Sequence, residues 1–338
     1  VSQTLLGSTP RALIDLASEL GMPAYRGRQL AEWLYHRHAR SLEEMTNISK
    51  SDRARIAERL TLGHTAPASR LESADGTLKY AYPVGAAVSI VETTVIPDGA
   101  RTTLCLSTQI GCARRCAICA TGNLGFRGNL TAGAIINQLE SLPERDAVTN
   151  IVYMGMGEPL DNLEAVLESL EVLTDTAGYA MSPRRITVST IGLPAPLEEL
   201  LTRSEAHIAV SLHSPFAEER AELIPAERQN PIADVLEVLR SRRWDGQRRL
   251  SFEYALIDGR NDTKAHAKAA ARLIEGLGAR VNLIPVNPAA ALGFEPPSRE
   301  RIDAFARELT EAGVRTTVRR SRGADIDAAC GLLAGRRV

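Results

Sequence analysis

From Arg101 onward the chain alternates between two hydrophobic periods. Strand-like runs (TLCLST, NIVYMGMGEP, RITVSTIG, HIAVSLHS, LSFEYALIDG, RVNLIPVNP and RTTVRRSRG) are separated by helical stretches such as NLEAVLESLEVL, PIADVLEVLR and AHAKAAARLIEGL. Strands separated by helices at this spacing form parallel βαβ units, because a parallel neighbour requires a long crossover. Six or seven such strands build either a doubly wound sheet or a full or partial βα barrel. Both place their site at the carboxyl ends of the strands. Polar residues gather at those ends: Gly157 and Glu158, Ser189, Ser211 and His213, and Asn287.

Upstream the pattern differs. Ser8-Thr9-Pro10 signals a helix start before RALIDLASEL and Gly21 a stop, and RQLAEWLYHR and SDRARIAERL repeat the helical spacing. From about Leu71 the period becomes two, in TLKYAYPV and VSIVETTVIP, with Asp75-Gly76 and Asp98-Gly99 as turn signals. The expected division is therefore a helical domain over 1–65, a small antiparallel β element over 66–100, and the α/β portion over 101–338. At 338 residues, 44% hydrophobic and 24% charged, the composition is that of an ordinary globular chain. No window approaches the ~18 apolar residues of a membrane span, and VSQTLLGSTPRALIDL has no basic run leading into an apolar one. The expectation is a cytoplasmic protein without membrane contact. A net charge of -1 argues neither for nor against a polyanionic partner.

Three of the five cysteines lie within GCARRCAICATG, as Cys112, Cys116 and Cys119. In a reducing compartment such a cluster points to metal or redox chemistry more than to disulfides. Zinc generally takes four ligands in a structural site; the nearest fourth, Cys105, sits in a strand, and no histidine lies nearby. Simple burial of thiols fits poorly with a loop bracketed by Gly111 and Gly122. The third reading is a [4Fe-4S] cluster held by three cysteines, whose open iron binds the amino and carboxylate groups of S-adenosylmethionine. GMGEP, one βα unit later, offers glycine backbone and the Glu158 carboxylate for an ammonium group, although alone it reads equally well as a helix-start turn.

GCARRCAICATG, GMGEPLDN, SLHSP, NLIPVNP and RGADIDAACG follow one another in this order. With the opening LLGSTPRALIDLASELGMPAYRGRQLAEWLYHR, the sequence resembles the RlmN/Cfr family of radical S-adenosylmethionine RNA methyltransferases over nearly its whole length, and its RlmN branch most closely. The resemblance implies a partial βα barrel with an N-terminal helical accessory domain that binds RNA. It implies methylation of an adenosine ring carbon, C2 in the RlmN branch, in 23S ribosomal RNA and also in tRNA. Carried over by motif, Cys112, Cys116 and Cys119 would ligate the cluster, and Gly157, Glu158, Ser189, Ser211, Leu212, His213 and Asn287 would line the S-adenosylmethionine site. Cys330 matches the methyl-carrying cysteine, Cys105 its partner thiol and Glu92 the proton acceptor. A transient Cys105–Cys330 disulfide, reduced at each turnover, is implied in the same way, as are an electron donor for the cluster and a monomeric enzyme.

Taken alone, Cys330 reads as a small buried hydrophobe and Glu92 as an exposed strand glutamate. Ser211 and His213, two apart on a strand, share a face and can line one pocket, but no oxyanion motif supports a hydrolase. The sequence departs from the family at Gly128, where an arginine is usual, at Ala134, usually acidic, and in AAALGFEPPS after NLIPVNP. These departures bear on the RNA target and the ring carbon, so C8 methylation of the Cfr type stands as the alternative. From another class, a zinc-stabilised RNA-binding module accounts for the cysteines and arginines but not for Cys330. Basic patches at Arg26 and Arg28, Arg37 to Arg40, Arg240 to Arg249 and Arg319 to Gly323 are the candidate RNA contacts, the last of them nearest Cys330.

Overall fold

A computed structural model of the chain describes residues 3–85, 89–244, 248–287 and 293–334. Three helices open it: α1 (Pro10–Glu19), α2 (Tyr25–Ala31) and α3 (Lys50–Ala57). Thr9 caps α1 by accepting from the Ala12 amide, with Pro10 at the first helical position, as the Ser-Thr-Pro signal predicts. Beyond α2 the backbone continues as a π-helical turn through Glu32–His36.

One ten-stranded sheet follows, formed by β1 (Ser69–Glu72), β2 (Leu78–Val84), β3 (Ser89–Asp98), β4 (Arg101–Cys105), β5 (Asn150–Tyr153), β6 (Ile186–Thr190), β7 (His207–Ser211), β8 (Leu250–Leu256), β9 (Arg280–Pro285) and β10 (Arg315–Val318). Every strand pairs with its neighbours in sequence. β1 to β4 are antiparallel, and β4 to β10 are parallel throughout. A doubly wound sheet would reverse its strand order at a switch point. Here the order never reverses, and the sheet is a singly wound partial βα barrel. The antiparallel strands continue its edge, because β3 and β4 pair from Asp98–Arg101 through to Thr94–Cys105.

The crossovers carry α4 (Ala132–Glu140), α5 (Leu163–Thr174), α6 (Pro194–Arg203), α7 (Ala217–Leu223), α8 (Ile232–Arg240), α9 (Lys264–Leu273) and α10 (Arg299–Glu311). Helix α4 is buried almost throughout although it contains Asn137, Gln138 and Glu140. Polar burial of this kind needs partners; the N-terminal region supplies some of them, and Gln138 is held instead by the backbone of Ser107 and the hydroxyl of Thr93. The Asn137 amide exchanges hydrogen bonds with the backbone of Thr65, and Glu140 binds His38 at 3.0 Å and Arg145 at 3.1 Å. The two regions approach closely at a pair of glycines: a Cβ on Gly7 would meet the backbone nitrogen of Gly133 at 2.1 Å, and one on Gly133 would meet the Leu6 carbonyl oxygen at 2.4 Å.

The C-terminal segment leaves β10 and crosses back over the mouth of the barrel. Asp75 accepts from the Gly323 amide at 3.0 Å, and Asp325 accepts from Ser73 Oγ at 2.6 Å and from the Ala74 amide at 3.1 Å. Further on, Gly331 O accepts from the Ala120 amide at 2.7 Å and Leu333 O from Thr121 Oγ1 at 2.6 Å. The segment thus joins the antiparallel strands to the cysteine loop.

Candidate active site

The cysteine loop and GMGEP are laced together by their backbones. Met156 O accepts from the amides of Thr108 and Gln109 at 2.8 and 3.1 Å, and Gln109 Oε1 accepts from the Glu158 amide at 2.9 Å. Both glycines are required by close approach. A Cβ on Gly155 would lie 2.6 Å from Ser107 Oγ, and one on Gly157, whose φ is +103°, 2.6 Å from Gln109 Cβ. Arg114 of the cysteine loop grips Asp161 through two nitrogens, its Nε donating to Oδ2 at 2.6 Å.

Behind this junction lies a cavity of about 190 Å³ at the carboxyl ends of β5 to β9. It is lined by Cys112, Cys116 and Cys119 and by Gly157, Glu158, Ser189, Ser211, His213, Asn287 and Cys330. The structure therefore brings together nearly every residue expected there from the sequence. Leu212 is the exception: its side chain is fully buried and it does not line the cavity; it lies just past the end of β7, between Ser211 and His213, whose φ is +58°.

A second cavity, of about 530 Å³, lies beyond Cys330. Thr94, Ile96, Cys105, Arg101, Arg319, Arg320 and Arg322 line it. Cys330, Met154, Ile284 and Asn287 belong to both linings and form the wall between the two spaces. Asn287 Nδ2 donates to Cys330 O at 3.1 Å, which fixes this cysteine on the wall. Cys330 is exposed to the cavities, whereas Glu92 is 1% exposed, so the isolated readings of both residues are inverted. Glu92 lies two residues before Thr94 on the same face of β3 but lines neither cavity. Its carboxylate pairs with Lys79 at 3.1 Å and accepts from the Ala334 amide at 2.7 Å. All five cysteines are free thiols, so the disulfide expected during turnover is no feature of this state.

Burial dominates the electrostatics. It pushes the Glu158 carboxyl up to about 7, although Thr190 Oγ1 and the amides of Leu160 and Ile191 donate to it. It lowers His213 to about 3, with Arg220 adding to the effect. His213 Nδ1 accepts from the Ala255 amide at 2.9 Å, so the neutral ring carries its proton on Nε2. Burial pushes Cys105 up to about 12 and Cys112 up to about 11, and raises Cys116 as well. Sulfurs that are costly to ionise beside one another fit a site completed by a cation. Among the described residues no three His, Cys, Asp or Glu side chains converge as they must around a single ion. Cys112, Cys116 and Cys119, carried by one loop and lining one cavity, are a donor set that fits a [4Fe-4S] cluster with one iron left for another ligand.

Residues 3–62 match the family of the ribosomal RNA large subunit methyltransferase N-terminal domain, and residues 106–270 match the radical SAM superfamily. A probable dual-specificity RNA methyltransferase RlmN from Bacteroides thetaiotaomicron is 47% identical over 97% of this chain and 95% of its own length. The chain belongs to the RlmN family. A dual-specificity RNA methyltransferase RlmN from Desulfotalea psychrophila is 39% identical over 95% of this chain and 92% of its own. The crystal structure of a radical SAM methyltransferase from Sphaerobacter thermophilus superposes with a TM-score of 0.91 at 40% identity, covering 99% of this chain and all of that one. A [4Fe-4S] cluster and S-adenosylmethionine are the cofactors of the RlmN family. No helix among the described residues is long and apolar enough to cross a membrane.

Two residues that sequence reasoning passed over organise the site. Arg220 is completely buried and donates to the carbonyls of Leu212 at 3.2 Å, Ile191 at 2.6 Å and Ser211 at 2.9 Å. Within AEERAEL nothing separates it from a solvated charge. Glu253 lines the first cavity, and its signal was legible: an acid in the middle of LSFEYAL, a strand buried along its whole length.

Proposed function

We propose that this chain methylates C2 of an adenosine in 23S ribosomal RNA, and of one in tRNA, through an S-methylcysteine at Cys330. The observation that carries this reading is the position of Cys330 on the wall shared by the two cavities, with the cluster cysteines on one side and Cys105 and the arginines on the other. Cys112, Cys116 and Cys119 would hold the [4Fe-4S] cluster. Gly157, Glu158, Ser189, Ser211, His213 and Asn287 would bind S-adenosylmethionine, Leu212 contributing only through its backbone. Bound together, these cofactors supply a transferable methyl group and a carbon-centred radical able to activate an S-methyl group.

Cys330 serves as the nucleophile that takes the methyl group from the sulfonium. Once its methyl carbon is bonded to C2 of the adenine, a base must remove the ring proton and a thiol must attack the Cys330 sulfur to free the product. Cys105, in the same cavity, is the attacking thiol, and each turnover ends in a Cys105–Cys330 disulfide that an external reductant must open. Glu92 is the base, and reaches the adenine once Lys79 and the Ala334 amide release it. Arg319, Arg320 and Arg322 meet the RNA backbone. All four basic patches are engaged within the fold at one or more members: Arg26 with Asp52, Arg40 with Glu140, Arg248 with the carbonyls of Leu201 and Ala206, and Arg322 with Asp98; the last patch is set apart because its arginines line the second cavity.

The enzyme acts as a monomer in the cytoplasm, reduced by a one-electron donor. Nucleosides from ribosomal RNA and tRNA of cells with and without this protein test the reading. 2-Methyladenosine should vanish from both pools when the protein is absent. 8-Methyladenosine in its place, or no change, would overturn the assignment.

A further inference from the structure

Among the described residues, Oε2 of Glu253 is the one buried, unpartnered side-chain polar atom whose residue lines the first cavity. The residue is 3% exposed. Its other oxygen is anchored, accepting from Asn282 Nδ2 at 2.7 Å and from Ser251 Oγ at 3.2 Å. Those two bonds fix the carboxylate and leave Oε2 over. The Arg319 Nε lies 3.9 Å away, beyond hydrogen-bond range. A buried carboxylate oxygen without a donor is costly, and such an atom on a cavity wall calls for a donor that arrives with the ligand.

The strand order says which donor. Gly157 and Glu158 follow β5, Ser189 lies on β6, and Ser211 on β7 is in register with Glu253 on β8. The amino-acid end of S-adenosylmethionine belongs beside the cysteines and Gly157–Glu158. The next hydrogen-bond donors along that molecule are the two ribose hydroxyls, before the adenine amino group. We infer that Glu253 Oε2 accepts a hydrogen bond from the ribose hydroxyls of S-adenosylmethionine, which makes it a cofactor-binding residue that discriminates ribose from deoxyribose. This rests on the reading of the first cavity as the cofactor site.

The test is binding, with S-adenosylhomocysteine as the probe: it keeps the ribose and amino-acid end but has no methyl group to lose. Equilibrium dialysis against the cluster-reconstituted full chain compares it with its 2′-deoxy and 3′-deoxy counterparts. The wild type should lose affinity on the order of tenfold for one deoxy probe, the worth of a hydrogen bond to a charged group. Glu253→Ala should bind the parent probe on the order of tenfold or more weakly and no longer distinguish it from that deoxy probe. Glu253→Gln, which keeps the shape and a neutral partner, should fall between, with iron and sulfide content unchanged. If Glu253→Ala fails to hold the cluster, the discrimination ratio of Glu253→Gln decides. Variants that retain the wild-type ratio, whatever their affinity, would overturn the contact while leaving the cavity assignment standing. A wild type that binds none of the probes would overturn the cavity assignment and the contact together.

Discussion

Arg220→Met is the sharpest test of how the barrel mouth is held open. Arg220 is completely buried, pairs with Glu227 at 4% side-chain exposure, and ties the ends of β6 and β7 together through the carbonyls of Ile191, Ser211 and Leu212. Burial lowers its pKa, and the adjacent Glu227 carboxylate opposes that shift. Methionine fills much of the volume but removes every donor. Breaking one side of a buried ion pair costs about 3–5 kcal/mol, and each carbonyl left without a partner adds about 1 kcal/mol at the low end. Two terms reduce the total: the Ile232 amide still donates to both Glu227 oxygens at 3.1 and 3.0 Å, and Ser211 lies on the cavity, where water can reach its carbonyl. The expected cost is about 4–5 kcal/mol, a large share of the roughly 5–15 kcal/mol that holds a domain folded. Urea unfolding followed by far-ultraviolet circular dichroism reads it from the midpoint at constant slope. Arg220→Met with Glu227→Leu should recover part of the loss, because no lone charge is then left buried. A midpoint shift worth less than about 1 kcal/mol in the single variant would refute this account of the mouth.

Other outcomes follow from the C-terminal segment and the second cavity. Asp75→Ala combined with Asp325→Ala removes the carboxylates that hold residues 323–325, and amide exchange across 323–331 should speed up while the barrel strands stay protected. The same tether is acid-sensitive. Although burial alone would raise it, hydrogen bonds from Thr77, Gly323 and Ser73 hold Asp75 at about 2, below its ordinary 3.8. Its folded pKa is depressed, so its contribution is present above pH ~4 and fades as pH falls toward 2, with exchange at Gly323 rising in that window. Cys105→Ala should accumulate a protein–RNA crosslink visible on denaturing gels, and free product at normal yield would remove Cys105 from the release step. Arg322→Glu, beside Asp98 at 3.3 Å, should weaken RNA binding by roughly tenfold and flatten its salt dependence, with iron content unchanged.

Much of the molecule was legible before folding because its signals are local. Glycines that admit a neighbouring segment at 2.6 Å, a Ser-Thr-Pro helix start, apolar runs whose spacing switches from two to 3.6, and three thiols on one loop each depend on a few consecutive residues. What was not legible depends on residues far apart in sequence. Glu92 and Lys79 lie thirteen positions from each other on paired strands and are buried together under Ala334, which no local pattern announces. Arg220 sits in an acidic, apparently solvated helix, yet its guanidinium reaches carbonyls on two other loops.

By itself, then, the sequence determined the parallel βα alternation, the three-cysteine loop and the set of strand-end residues that face one cavity, since alternation along a strand decides which side chains share a face. Only the tertiary structure decided that the sheet winds in one direction, that the antiparallel strands extend it, and that Cys330 becomes a wall between two cavities. That last outcome comes from the C-terminal segment being tied at Asp75, Asp325, Asn287, Ala120 and Thr121. Each of those hydrogen bonds joins residues that only the closed chain brings within reach.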